Sequence, residues 1–283
     1  MQPAQIAMLV GASLLAGAVN AVAGGGTLLS FPAAMAVGLS PLAANATNTV
    51  ALFPGQLASA WGYRRELGRD RAVVRMLWPA AALGGLSGSL LLLLTPQRLF
   101  DAIVPVLVLL ATALLFVQNL RRSPAARPSG ASAAPPAAPS TVAPAAPPVA
   151  PLDEPWHLPK RRWAAQLAQF LAAIYGGYFG AGMGIMLLAL YTRMGARDLN
   201  RMNGVKTVLS ALVNSVACIA FVAARAIDPV VGGIMAAAAI VGGLLGALGA
   251  RRVPPAIVRW AVVAIGFCLS VVLGYQRLAR LGH

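Results

Sequence analysis

The chain has 283 residues, of which 59% are hydrophobic and only 10% charged, yet it carries 22 Lys+Arg against 7 Asp+Glu, a formal net charge of +15. A soluble domain holds roughly 25% charged residues, so the composition excludes an ordinary soluble protein and points to apolar segments facing lipid. A nucleic-acid partner, which a soluble chain this basic would suggest, is not expected, because too little of the chain is polar enough to present a basic face.

Residues 6–23 are apolar and end in Ala21-Val22-Ala23, which resembles a signal-peptide cleavage site, but Met1-Gln2-Pro3-Ala4-Gln5 has no charged side chain. A signal peptide needs a positive n-region, so the segment reads as mature structure. It runs as 5–22 into Gly24-Gly25-Gly26 and a short apolar piece, 27–38. Glycine destabilises a helix interior by about 1 kcal/mol, so three in a row predict a broken helix. Membrane-crossing helices of about 20 apolar residues are then predicted over 42–63, 73–94 and 100–120. Eleven of the 21 prolines fall between Pro124 and Pro159, mixed with Ala and Ser, which predicts a low-complexity linker. A second broken helix follows: 164–179, then Gly180-Ala181-Gly182-Met183-Gly184, then 185–195. Crossings over 203–224, 229–250 and 256–276 complete the chain. Cys218 and Cys268 lie in apolar runs, are not spaced as metal ligands and imply no disulfide framework.

The two halves repeat at an offset of 158 residues. Ala80-Ala81-x-x-Gly84-Gly85-Leu86-x-Gly88-x-Leu90 recurs as Ala238-Ala239-x-x-Gly242-Gly243-Leu244-x-Gly246-x-Leu248. Asn45-x-x-x-Thr49-Val50 recurs as Asn203-x-x-x-Thr207-Val208, Pro96 matches Pro254, and Gly24 and Gly26 match Gly182 and Gly184. An ungapped register through several motifs indicates duplication. The Gly-x-x-x-Gly pairs suit close helix packing.

Lys and Arg mark cytoplasmic loops. If both glycine-broken segments cross the membrane, the basic residues divide 14 to 8 between the two sides. If both fold back as re-entrant hairpins, each half keeps three crossings and 18 of the 22 fall on one side, leaving only Arg98, Arg225, Arg277 and Arg280 opposite. Equivalent loops also exchange charge: 64–75 is basic while its counterpart near 222–233 holds only Arg225 and Asp228. The expected fold is therefore an all-α polytopic membrane protein of two inverted repeats, each a re-entrant broken helix plus three crossings. Residues 1–120 form one membrane repeat, 121–163 a Pro/Ala-rich cytoplasmic linker and 164–283 the second repeat. The termini are expected on the periplasmic or extracellular side of the cell inner membrane.

Inverted repeats with discontinuous helices are a transporter architecture. The tips should meet, and half-helices starting at Thr27 and Ile185 would offer free N–H groups and positive dipole ends, which suit an anion. Gly24, Gly25, Gly26, Thr27, Gly180, Gly182 and Gly184 are the predicted cradle; close helix packing is the other reading of these glycines. Asn20, Thr47, Asn48, Asn203, Lys206 and Thr207 are further candidate substrate contacts, against interhelical hydrogen bonding for the amides and snorkelling for Lys206. Asn45, Thr49, Gln56, Ser210 and Asn214 add polarity to the same two helices. The histidines, His157 and His283, lie in the linker and at the C-terminus, and Asp101 and Asp228 lie at helix ends. That disfavours an intramembrane hydrolase, a carboxylate proton relay and, with no phosphate-binding loop, an ATP-driven pump. No cofactor and no metal are expected.

These residues resemble the TauE/SafE family of sulfite exporters and organosulfonate permeases. The likeness lies in Ala16-Gly17-x-x-Asn20-x-x-Ala23-Gly24-Gly25-Gly26-Thr27, Pro32, Gly38 and Ala46-Thr47-Asn48 of the first half. The second half adds Gly176-Gly177-Tyr178-Phe179-Gly180-Ala181-Gly182-x-Gly184, Asn203-Gly204-Val205-Lys206 and Asn214-x-x-Ala217-x-x-x-Phe221. The resemblance implies membrane transport of small anions, often sulfite or related sulfur compounds. The expected activity is a secondary transporter of such an anion working by alternating access. An anion channel of the same architecture and a non-transporting membrane scaffold are the alternatives, and an enzyme is not expected.

Overall fold

A computed structural model describes residues 1–22, 25–64, 68, 70–121, 161–196, 198–249, 263–264, 266–268 and 270–271. Among them the chain is helical, without strands. The helices with described bounds are, in order, α1 Pro3–Val22, α2 Thr27–Ala36, α3 Pro41–Gly62, α4 Arg71–Leu94, α5 Gln97–Arg121, α6 Arg162–Tyr178, α7 Met183–Arg193, α8 Leu199–Ala223 and α9 Pro229–Gly249. Most of the expected crossing over 256–276 and the linker interior, 122–160, lie outside the described residues; 263–264, 266–268 and 270–271 are helical.

Local chemistry sets the helix starts. Ser40 caps α3 by accepting from the Ala43 amide, with Pro41 in the first turn, where its missing N–H costs nothing. Asp198 caps α8 by accepting from the amides of Asn200 and Arg201. Asp228 does the same for α9 at Val230 and Val231, 3.0 and 2.9 Å away, and Pro229 opens that helix.

Helices α1, α4, α5, α8 and α9 are long and apolar enough to cross a membrane. Helix α3 has the length, at 22 residues, but is not among the five. Asn45, Thr47, Asn48, Thr49 and Gln56 lower its hydropathy, and those polar groups are turned inward: Asn45, Thr47, Asn48 and Thr49 are all buried. The first broken segment also differs from expectation. Helix α1 runs 20 residues, Pro3–Val22 against the expected 5–22, and is among the five spans by itself. Helices α2 and α7 are short, at 10 and 11 residues.

Packing interleaves the two halves. Helix α1 lies along α9, α6 along α4, α9 against α3, α4 against α8, and α3 against α8. The seams are made by glycine. A methyl group at Gly242 would fall on the Leu14 carbonyl, and one at Gly88 on the Ile174 carbonyl. Gly243 and Gly85 sit against Gly55 and Val213 in the same way. Such backbone approach supplies dispersion and carbonyl contacts where burial of apolar surface contributes little. Ser59 adds to it by donating to the carbonyls of Gly55 and Gly243, 2.8 and 3.0 Å away.

Two side chains lock one end of the bundle. Arg201, in the first turn of α8, meets Asp70, just before α4, with Nε 2.9 Å from Oδ2 and Nη2 2.6 Å from Oδ1. Their side chains are 4% and 1% exposed, so this is a buried, two-pronged pair.

Candidate functional site

The first tip forms because α1 cannot continue through the glycines. Gly25 has φ +96°, a conformation that costs L side chains about 1–2 kcal/mol and glycine nothing. Gly26 has ordinary φ but touches α1 so closely that an added methyl would collide with the Ala16 carbonyl. The chain therefore turns back on α1's last two turns and starts α2. The Asn20 Oδ1 accepts from the Gly26 amide at 2.8 Å, clamping the turn. The carbonyls of Gly25 and Gly26 take the amides of Leu28, Leu29 and Ser30.

The second tip uses the same device with different residues. Gly180 and Gly182 have φ +78° and +83°, and Gly182 caps α7. The Tyr175 hydroxyl donates to the Ala181 carbonyl at 2.6 Å, and Asn45 Nδ2 donates to the Tyr178 carbonyl at 2.8 Å.

Both tips open on one cavity. It is lined by Asn20, Gly25, Thr27, Thr49, Leu52, Gln56, Ser59, Gly180, Met183, Gly184, Lys206, Thr207, Ser210 and Asn214. Its volume is about 30 Å³, counted as the space open to the centre of a water-sized sphere. A single such sphere takes roughly 10–15 Å³ on that measure, so the chamber holds about two waters or a few ligand atoms. The lining residues run from Thr49 to Ser59 on α3 and from Lys206 to Asn214 on α8. Thr27, in the first turn of α2, lines this space, and a first-turn amide has no carbonyl of its own helix behind it.

Lys206 is the charged group of the chamber. It is 2% exposed, and its Nζ donates to the Asn20 carbonyl at 3.0 Å and to Asn203 Oδ1 at 3.1 Å. Snorkelling to a surface does not describe it: the side chain stays inside, tied to α1. An ammonium in a chamber of hydroxyls, amides and helix N-termini favours an anion electrostatically. Among the described residues, no group of three His, Cys, Asp or Glu could hold a metal ion.

The predicted site residues divide as follows. Asn20, Gly25, Thr27, Gly180, Gly184, Lys206 and Thr207 line the cavity. Gly26 and Gly182 shape the tips, and Asn203 holds Lys206, without lining it. Thr47 is turned elsewhere, accepting from the Asp228 amide at 2.9 Å. Asn48 is buried but does not line the cavity. Gly24 lies outside the described residues. Leu52, Ser59 and Met183 were not singled out in the sequence. Leu52 and Ser59 share the cavity-facing side of α3 with Thr49 and Gln56 at helical spacing.

Comparison with known proteins places the chain among membrane transporters by sequence. The family model described as Sulfite exporter TauE/SafE matches residues 9–273. The probable membrane transporter protein YfcA of Escherichia coli strain K12 is 30% identical over 109 residues, 38% of this chain and 40% of that protein. The probable membrane transporter protein ORF9 of Sinorhizobium sp is 32% identical over 114 residues, 39% of this chain and 42% of that protein. The matched stretch thus spans about two fifths of these curated relatives. No solved structure matches the chain.

Proposed function

The chain belongs to the sulfite exporter TauE/SafE family, and from that membership together with the cavity we propose that this multi-pass membrane protein is a secondary transporter of a small anion of the sulfite or organosulfonate type. The observation that carries the reading is the convergence of both glycine tips and Lys206 on one small polar chamber. Lys206 supplies the positive charge, the amide ends of α2 and α7 supply N–H donors, and Thr207, Asn214 and Ser210 supply adaptable hydrogen bonds. The chamber's size suits a carrier that encloses a few atoms better than a continuous anion channel, which is the competing reading.

Alternating access would arise from two inverted repeats rocking about the chamber. The helix pairings support that reading: with the 158-residue offset, α1 on α9 corresponds to α6 on α4, and α9 on α3 to α4 on α8. The Gly243–Gly55 contact likewise corresponds to Gly85–Val213. Residues 1–120 and 164–283 would be the two repeats, with 121–163 a cytoplasmic linker and both termini across the inner membrane from it. The positive-inside distribution supports that orientation.

The test is uptake and efflux of labelled sulfite and of a small sulfonate in proteoliposomes holding the purified chain. Saturable flux with counter-transport is expected. Absence of flux for every sulfur oxyanion would remove the substrate class, and flux that never saturates would favour the channel.

A further inference from the structure

The two tips are braced by opposite halves of the chain, and the braces differ in one respect. At the first tip, the carbonyl of Asn20, near the C-terminal end of α1, receives the Lys206 ammonium, which also donates to Asn203 Oδ1. Shifted by 158 residues, Asn20 becomes Tyr178, Asn203 becomes Asn45 and Lys206 becomes Asn48. There the carbonyl of Tyr178, at the C-terminal end of α6, receives Asn45 Nδ2 at 2.8 Å. That bond fixes the Asn45 amide, since turning it would set two carbonyl oxygens face to face. Its Oδ1 is therefore an acceptor, and it has no hydrogen-bond partner among the described residues; neither has Asn48 Oδ1. Both residues are nearly sealed from solvent, 0% and 1% exposed, and at a spacing of three they share a helix face.

By that correspondence, two buried amide oxygens and a helix-end carbonyl occupy the positions where the other half of the chain has an ammonium and its two acceptors. Buried polar groups are retained when something satisfies them. Helix C-termini attract positive charge, and carbonyls at helix breaks are suited to small alkali cations. The donors are neutral oxygens, which excludes soft metals and gives a divalent ion no carboxylate to neutralise it. Amides do not titrate near neutral pH, so a proton is not the ligand either. We infer that Asn45, Asn48 and the Tyr178 carbonyl form a binding site for a small monovalent cation of the sodium class, doing in the first half what Lys206 does in the second. Helix α3 carries both this site and Thr49, Leu52 and Gln56 of the cavity, so the cation sits beside the chamber. Its use as the coupling ion rests on the transport reading; its binding does not.

The experiment uses the purified full chain in detergent, with the thermal unfolding midpoint followed as sodium chloride replaces choline chloride at fixed pH and ionic strength. The midpoint is expected to rise by several degrees and to saturate. Asn48→Ala should abolish the rise, whereas Asn48→Lys should raise the midpoint in choline chloride and make it indifferent to sodium. Should Asn48→Ala fail to fold, the wild type and Asn48→Lys still decide. A wild-type midpoint that sodium leaves unmoved, or an Asn48→Ala response equal to wild type, overturns the site. Anion flux that ignores a sodium gradient removes the coupling role but leaves the transport function standing. A sodium-dependent midpoint without anion flux supports the site and removes the function.

Discussion

The ammonium of Lys206 lies 3.0 Å from the main-chain carbonyl of Asn20, joining the second turn of α8 to the last turns of α1. A single side chain thereby ties the two halves together and charges the chamber between them. For the anion proposed above, this donor would already be held in place, leaving little ordering to do on binding.

Lys206→Met keeps the side chain's bulk and removes its charge. A hydrogen bond to a charged group contributes about 1.5–3 kcal/mol, so anion transport should fall about 10- to 100-fold. Initial rates in proteoliposomes, normalised to folded protein, check this. Unchanged rates would show that Lys206 serves only to hold α1.

The glycine seams make a paired prediction. A methyl group at Gly11 meets nothing within 4 Å, so Gly11→Ala should stabilise α1 by up to about 1 kcal/mol through helix propensity. Gly242→Ala drives a methyl into the Leu14 carbonyl and should destabilise by about 1–3 kcal/mol. Thermal midpoints of the two variants in one detergent should move in opposite directions.

The buried pair of Arg201 and Asp70 should be intolerant of single changes. Asp70→Asn or Arg201→Gln breaks a buried charge-assisted pair and should destabilise the fold measurably, by about 1.5–3 kcal/mol. The double change should cost less than the sum, as a double-mutant cycle on unfolding midpoints would report. Strict additivity would mean that the two groups do not act as a unit.

Thr207 and Thr47 should separate substrate contact from structure. Thr207 lines the chamber and its buried hydroxyl has no partner among the described residues. Thr207→Val should therefore raise KM for the anion while leaving the unfolding midpoint within about 0.5 kcal/mol of wild type. Thr47 instead receives the Asp228 amide, so Thr47→Val should lower the midpoint and spare KM. Kinetics and melting curves on the two variants distinguish these outcomes.

Much of this arrangement is written in residue types. Glycine runs break helices wherever they occur, so both tips could be located from Gly24-Gly25-Gly26 and Gly180-Ala181-Gly182 alone. Lys206 stood out because a charge is costly inside an apolar helix. What composition cannot carry is rotation about a helix axis. Thr47 and Thr49 look alike in sequence, yet two residues turn a helix by about 200°, sending one hydroxyl to the α9 start and the other to the cavity. Leu52 and Ser59 were hidden for the converse reason, because their role comes from lying about one turn along from Thr49 and from Gln56. Helix α1 meets the expected 5–22 to within two residues, because the glycines mark where it stops.

The interleaving of α1 with α9 bears on how the protein is made. Helix α1 ends at Val22, but the groove that receives its glycine seam is not synthesised until Pro229–Gly249 leaves the ribosome. At roughly 5–20 residues per second, the first helix waits on the order of 10–40 s in the bilayer without its partner. During that time its seam faces lipid or insertion machinery. The final bundle can close only after the second half arrives, so assembly is a late, single event, and a chain cut between the halves should recover its fold when both pieces are produced together.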